Sequence, residues 1–136
     1  MKIQEIMSTN VVSVRPGTTL RQAARKMRDL GIGSLPVVED GQLLGVITDR
    51  DICCHAIALG RSSSTRVEKV MSTDVVTCFD DQDITDAAHL MEDRHIRRLT
   101  VLNHDNNLAG ILSVDDLAHG SHELAGAVLE AATPIH

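Results

Sequence analysis

Two short phrases hold the residues best placed for chemistry. Thr48-x-x-Asp51 lies in GVITDRDI, Gly45 to Ile52, and Ser113-x-x-Asp116 lies in GILSVDDL, Gly110 to Leu117. Each phrase directly follows an apolar run. A hydroxyl and a carboxylate three positions apart at a strand-to-helix junction suit two jobs. One is a capping box, in which the hydroxyl accepts from the amide three residues on and the acid accepts from the amide of the hydroxyl residue. Such boxes favour Glu or Gln at the last position, and both copies use the shorter Asp, which tilts toward a second job. That second job is to accept hydrogen bonds from the vicinal hydroxyls of a ribose, with the neighbouring hydroxyl on sugar or phosphate and the first helical amides facing an anion. The two jobs are compatible.

Other reactive groups rank lower. Cys53, Cys54 and His55 are consecutive on an expected helix, where neighbours point about 100° apart and do not converge on one ion. They are expected to be core cysteines beside an exposed histidine, and no metal site is expected. Cys78 reads as a lone buried thiol. Three cysteines without a framework spacing predict reduced thiols. The seven histidines are scattered and default to the surface.

The totals bound the function. With 136 residues, 43% hydrophobic and 24% charged, the chain can form a real core but leaves no room for a separate catalytic domain. The net charge of −6 and a single aromatic residue, Phe79, argue against nucleic acid, whose binders show basic faces and stacking platforms. No apolar run approaches the roughly 20 residues that span a bilayer, and MKIQEIMSTN lacks the apolar core of a secretory signal. A cytoplasmic protein that meets neither membrane nor nucleic acid is expected.

The chain is an internal duplication. Met7-Ser8-Thr9-Asn10-Val11-Val12-Ser13 returns as Met71-Ser72-Thr73-Asp74-Val75-Val76-Thr77, an offset of 64. Leu20, Ala23, Ala24, Met27, Ile32, Leu35 and Val37 then align with Ile84, Ala87, Ala88, Met91, Ile96, Leu99 and Val101. One extra residue near Asn106 shifts the offset to 65, so that Gly45, Thr48 and Asp51 align with Gly110, Ser113 and Asp116.

Each half predicts the order β-α-β-β-α. A short strand (Val11 to Val14; Val75 to Cys78) leads into a helix whose apolar positions, Leu20, Ala23, Ala24, Met27 and Leu30, have helical spacing and predict one buried face. Thr19 with Gln22 has capping-box spacing, Asp83 is a suitable N-cap in the second copy, and Gly31 suits the C′ position. Runs Leu35 to Val38 and Leu43 to Thr48 flank Asp40-Gly41, the dipeptide of a tight hairpin; the second copy turns through His104 to Asn107. A further helix begins near Asp49 and carries Ile52, Ala56, Ile57 and Leu59, with its counterpart from Val114.

These elements give a first repeat over residues 1–59, a linker over 60–66 containing GRSSST, a second repeat over 67–118, and a tail over 119–136. Ser121 to Ala132 of that tail can form a helix stopping before Pro134. The matching Ile3-Ile6-Met7 and Val67-Val70-Met71 suggest a short helical turn, packed on its own half. A half of roughly 60 residues buries too little surface to be comfortably stable. Two such sheet-and-helix units can cover each other, which predicts an α+β fold of two repeats packed as a pseudo-twofold pair with a central cleft.

The duplicated β-α-β-β-α order, IGSLPVVEDGQLLGVITDRDI and HIRRLTVLNHDNNLAGILSVDDL together resemble a tandem pair of cystathionine β-synthase (CBS) domains, over nearly all of the chain to about Leu117. The resemblance implies a regulatory module, without catalysis, whose cleft binds an adenosine-containing small molecule such as AMP, ATP, NAD or S-adenosylmethionine. It makes Asp51 and Asp116 the ribose acceptors, with Thr48 and Ser113 beside them. It puts the adenine in an apolar slot near Val14, Pro16, Ile32, Ser34 and Pro36, and a second slot near Cys78 and the stretch from Ile96 to Thr100. Phosphates would meet Arg50 and one of Arg97 and Arg98.

The two copies differ in charge: Asp115 stands at the equivalent of Arg50, while Arg97 and Arg98 replace Gly33 and Ser34. Thr100 stands where the family pattern has the proline seen at Pro36. One good site and one weaker site are expected. No cofactor is required beyond the adenine-nucleotide ligand. Ala23, Ala24, Ala87 and Ala88 read as small contact residues that let helices approach closely; the resemblance makes such helices a dimer face and so implies a homodimer whose apolar helix faces are covered by a second copy, with any output passing to an effector protein in trans. The alternative is a structural or protein-interaction module that binds no small molecule. An enzyme using the cysteines is a third, weaker class.

Overall fold

The computed structural model describes residues 1–132. The fold is α+β, with the two repeats resolved into two compact units. One unit is Val12–Val75, and the other joins Met1–Val11 to the chain from Val76 on.

In the first unit, α1 (Leu20–Leu30) starts where Thr19 and Gln22 form the expected capping box, and it stops at Gly31, whose left-handed φ of 65° no β-carbon opposes. β1 (Ser34–Glu39) and β2 (Gln42–Thr48) pair antiparallel. Their two-residue turn, Asp40-Gly41, has positive φ at both positions, 51° and 81°, as a type I′ hairpin requires. α2 (Asp49–His55) follows without a break. The core gathers Val14, Leu20, Ala23, Met27, Leu35, Val37, Ile47, Ala56, Val67 and Val70.

The other unit repeats the plan as β3 (Thr77–Phe79), α3 (Ile84–Arg94), β4 (Arg98–Leu102), β5 (Leu108–Ser113) and α4 (Val114–Gly120), and adds α5 (His122–Ala132). Asp83 caps α3 by accepting from the Thr85 N–H at 2.9 Å. That hydrogen bond, foremost, holds its carboxyl below the usual range. His95 ends α3 in the left-handed conformation that Gly31 adopts in the first copy, and its Nδ1 lies 2.8 Å from the Ala131 carbonyl of α5. The tail helix thus forms as expected; its stop before Pro134 lies outside the described residues.

Four expectations about the elements need correction. The first strand of the first repeat shrinks to one parallel bridge, Val14 to Val37, whereas Thr77–Phe79 is a full strand beside β4. The reason is Pro16: its counterpart Asp80 donates its N–H to the Leu102 carbonyl at 3.0 Å, and proline has no N–H to give. The buried face of α1 is narrower than its spacing implied, since Ala24 is exposed and Leu30 is 50% exposed. α2 ends at His55, so Ala56 is buried while Ile57 and Leu59, on a following 3₁₀ turn, are 62% and 67% exposed. In the second copy α5 packs on α3 and α4, and there Ala87 and Ala88 are both buried.

The largest departure concerns the short turns preceding each repeat. Each belongs to the core of the other repeat. Ile3, fully buried, packs with Ile84, Ala87 and Leu112, while Val67 and Val70 pack with Leu20 and Ile47. The backbone bonds match pair by pair. Ile3 N–H donates to Gln82 O and Gln4 N–H to Asp80 O; Val67 N–H donates to Thr18 O and Glu68 N–H to Pro16 O. Ser8 then pairs with Ile111 on the outer edge of β5, and Ser72 with Val46 on the outer edge of β2.

Glycine makes this approach possible. A β-carbon at Gly45 would lie 2.6 Å from Ser72 O and 3.0 Å from Met71 Sδ; at Gly110 the distances to Ser8 O and Met7 Sδ are 2.7 and 2.8 Å. Gly110→Ala is therefore expected to destabilise the protein by about 1–3 kcal/mol, the usual range for overpacking. Gly126→Ala, in the interior of α5 with nothing within 4 Å, should stabilise by up to about 1 kcal/mol. Urea unfolding of the two variants checks both signs.

Candidate functional site

Both phrases fold as reciprocal caps. Thr48 leaves β2 in an extended conformation, and its Oγ1 accepts from Asp51 N–H at 3.0 Å while Asp51 Oδ2 accepts from Thr48 N–H at 3.0 Å. Ser113 and Asp116 repeat the exchange at 3.1 and 2.9 Å. The shorter Asp thus reaches the N-cap amide in both copies, and the capping job is real.

The free oxygens differ between copies. Asp51 Oδ1 lies 3.2 Å from His55 Nδ1 one turn along α2, and the residue is buried at 5% exposure. Asp116 is half-buried, and its Oδ1 is approached by the Ser8 hydroxyl at 3.5 Å. Ser8 was not among the expected site residues. The signal that could have found it is its place in the duplicated Met-Ser-Thr phrase, at the equivalent of Ser72.

The strand register gathers most of the remaining candidates around these caps. In the first copy Ser34 is the cross-strand partner of Thr48, Pro36 pairs with Val46, and Val14 N–H donates to Pro36 O at 2.9 Å. Val14 and Pro36 are buried; Ile32 and Ser34 are partly exposed. In the second copy Arg98 pairs with Ser113, Thr100 with Ile111, and Cys78 with Val101. Pro16 is not seen to join this group: it lines an open depression of about 400 Å³ with Arg15, Gly17, Thr18, Gln22 and Glu39, which includes none of Thr48, Arg50 and Asp51.

Charge around the caps is mixed. Arg50, Arg97 and Arg98 are exposed, and none makes an ion pair among the described residues, so each is open to an anion. Against them stand two acids in each first turn, Asp49 with Asp51 and Asp115 with Asp116. Asp49 is a residue sequence reasoning missed. Its N–H donates to Gly33 O at 2.9 Å, and a β-carbon at Gly33 would lie 2.9 Å from its Oδ2, so a carboxylate lies close over the expected adenine stretch. Valine at the equivalent position, Val114, carries no such charge.

The cysteines divide differently from the sequence expectation. Cys53 and Cys54 are exposed, not in the core, because the short α2 turns that side outward; Cys78 is buried, and burial pushes its thiol up to about 11. Ellman's reagent at pH 8 should therefore label two thiols per native chain, with the third reacting only after unfolding.

The family model described as CBS domain matches residues 3–56 and 67–123. The CBS domain-containing protein YhcV of Bacillus subtilis (strain 168) is 41% identical over 129 residues, covering 93% of this chain and 91% of the relative. Among solved structures, Hypoxic Response Protein I, described with two coordinated zinc ions, matches with a TM-score of 0.80 at 29% identity, over 89% of this chain and 99% of that one. CBSX2 in complex with AMP matches with a TM-score of 0.78 at 24% identity, over 90% and 97%. No helix among the described residues is long and apolar enough to cross a membrane.

Proposed function

Because the chain belongs to the CBS domain family, with two copies filling most of its length, we propose that it binds an adenosine-containing ligand and acts as a regulatory sensor with no catalysis of its own. One observation carries this reading: in both copies the strand register and the helix cap bring a hydroxyl, a carboxylate and an uncommitted arginine to one strand end. Asp51 and Asp116 would accept from ribose hydroxyls through Oδ1, since a carboxylate oxygen has two lone pairs and the cap uses Oδ2. Thr48 and Ser113 would stand beside the sugar. Val14, Ile32, Ser34 and Pro36 would line the adenine slot of the first copy, and Arg50, Arg97 and Arg98 would meet phosphate. The AMP held by CBSX2 fits this class, although that likeness is one of fold.

The acids in the first turns bear on which ligand binds. Each further phosphate charge brought near Asp49 and Asp51 meets like charge, so AMP and S-adenosylmethionine are favoured over ATP. A thermal-shift panel of AMP, ADP, ATP, NAD and S-adenosylmethionine tests the reading. A micromolar ligand at millimolar concentration should stabilise by about 4 kcal/mol. In calorimetry Asp51→Ala should abolish most affinity and Asp116→Ala should cost less. Equal losses, or a silent panel, would remove the ligand reading.

A second reading has its own support. Asp51 is buried with both oxygens in contact, Oδ2 with Thr48 and Oδ1 with His55, as in a structural cap, and the first copy leaves Leu30, Ile57 and Leu59 exposed where the second copy has the cover of α5. A second copy of this chain covering that face gives the homodimer, and a module that binds only proteins would use the same surface. Sedimentation at micromolar concentration should give a dimer, and Ile57→Asp with Leu59→Asp should give a monomer; a monomeric wild type would count against it.

A further inference from the structure

Outside the strand-end caps, one cluster of ligating side chains forms at the other end of the three-stranded sheet. β3 ends at Phe79, which pairs in register with Leu102 at the end of β4, so the segments following both strands leave the sheet side by side. They carry Asp80 and Asp81 on one and His104 on the other. One ligating atom from each of the three residues lies within 4.8 Å of the other two.

The arrangement is held in place. His104 Nε2 lies 2.6 Å from Asp81 Oδ2, and its ring stacks on Phe79 with centroids 5.0 Å apart and planes 5° from parallel. Asp80 is pinned through its backbone: its N–H donates to Leu102 O and its carbonyl accepts from Gln4 N–H. Phe79 N–H donates to Gln82 Oε1 at 2.7 Å, which braces the same turn. The Asp80 carboxylate makes no hydrogen bond among the described residues and is partly buried.

The chemistry of the set is specific. One imidazole nitrogen with two carboxylate oxygens suits first-row transition ions, and hard ions such as magnesium favour oxygen alone. Donors around a tetrahedral ion at ~2.0–2.1 Å stand roughly 3.4 Å apart, so small rotations of exposed side chains bring these three into reach. An exposed His–Asp pair by itself contributes little and needs no further role. Here a second carboxylate converges on the same imidazole, leaving two negative charges against at most one positive. The first repeat supplies an internal contrast, since Pro16, Gly17 and Asp40 stand at the equivalent positions and give no such set.

We propose that Asp80, Asp81 and His104 form a binding site for a divalent first-row transition ion of the zinc type, with water completing its coordination. The ion takes the place of the His104 Nε2 proton, and Phe79 keeps the ring facing the two carboxylates. The site lies in one repeat only, which makes it one ion per chain and independent of ligand binding at the caps.

Calorimetry with zinc chloride alone tests this on the untagged full chain, in a Cys53→Ser, Cys54→Ser background that removes the exposed thiols. One saturable site per chain is expected, silent with magnesium chloride. His104→Ala and Asp81→Asn should each weaken it by roughly tenfold or more. These side chains are exposed, so circular dichroism should show both variants folded. In the parent protein the His104 ring nitrogens should shift on zinc addition in heteronuclear NMR, which needs no variant. Unchanged affinity in His104→Ala, no saturable binding at millimolar zinc, or a zinc-induced shift at another histidine with His104 unmoved would each overturn the site.

Discussion

The structure depends on how each sheet closes its outer edge. β2 and β5 would both present unpaired N–H and C=O groups there, and a sheet edge left open invites pairing with another chain. The chain closes them with its own duplicated leading segments. Ser72 pairs with Val46 and Ser8 with Ile111, each in both directions at 2.9–3.0 Å. The segment that arrives is the one preceding the other repeat. This requires a glycine where the segment crosses, because a β-carbon at Gly45 or Gly110 would meet a backbone carbonyl that cannot move aside. The glycine that opens GVITDRDI and GILSVDDL is therefore explained by chain exchange, and the hydroxyl and aspartate that follow it by the helix cap.

That division matters for the candidate site. The cap fixes where the carboxylates stand, and it does so with one oxygen of each. The other oxygen meets different company in the two copies: His55 on the same helix, or Ser8 on the exchanged segment. The duplication thus keeps the scaffold of the site constant while the contacts that tune it diverge. Asp49 against Val114, and Gly33-Ser34 against Arg97-Arg98, extend the divergence to charge.

Divergence also explains the structural differences between the units. Pro16 removes a ladder donor that Asp80 keeps, so one strand shrinks to a bridge. His95 accepts the left-handed conformation that glycine takes more readily, and its ring reaches the end of α5. α5 in turn buries the helix face of its own unit with Ala125 and Val128. The corresponding face of the first unit has no helix of its own to cover it.

Much of this was legible in the residues. The repeat, the hairpin at Asp40-Gly41, the caps at Thr19, Asp83, Thr48 and Ser113, and the start of every long helix follow from local rules, because capping, turns and periodicity act over a few neighbouring residues. The pairing of Ser34 with Thr48 was not legible, because a two-residue turn alone would set Ser34 opposite Ile47, and the irregularity between Val37 and Val38 moves it by one residue. What only the tertiary structure decided lies at longer range: which core receives Ile3 and Val67, what the second oxygen of each aspartate meets, whether Cys53 faces out, and that Asp80, Asp81 and His104 meet. Because the two copies are so alike in sequence, a leading segment matches either core equally well on paper. Only the path of the chain chooses between them.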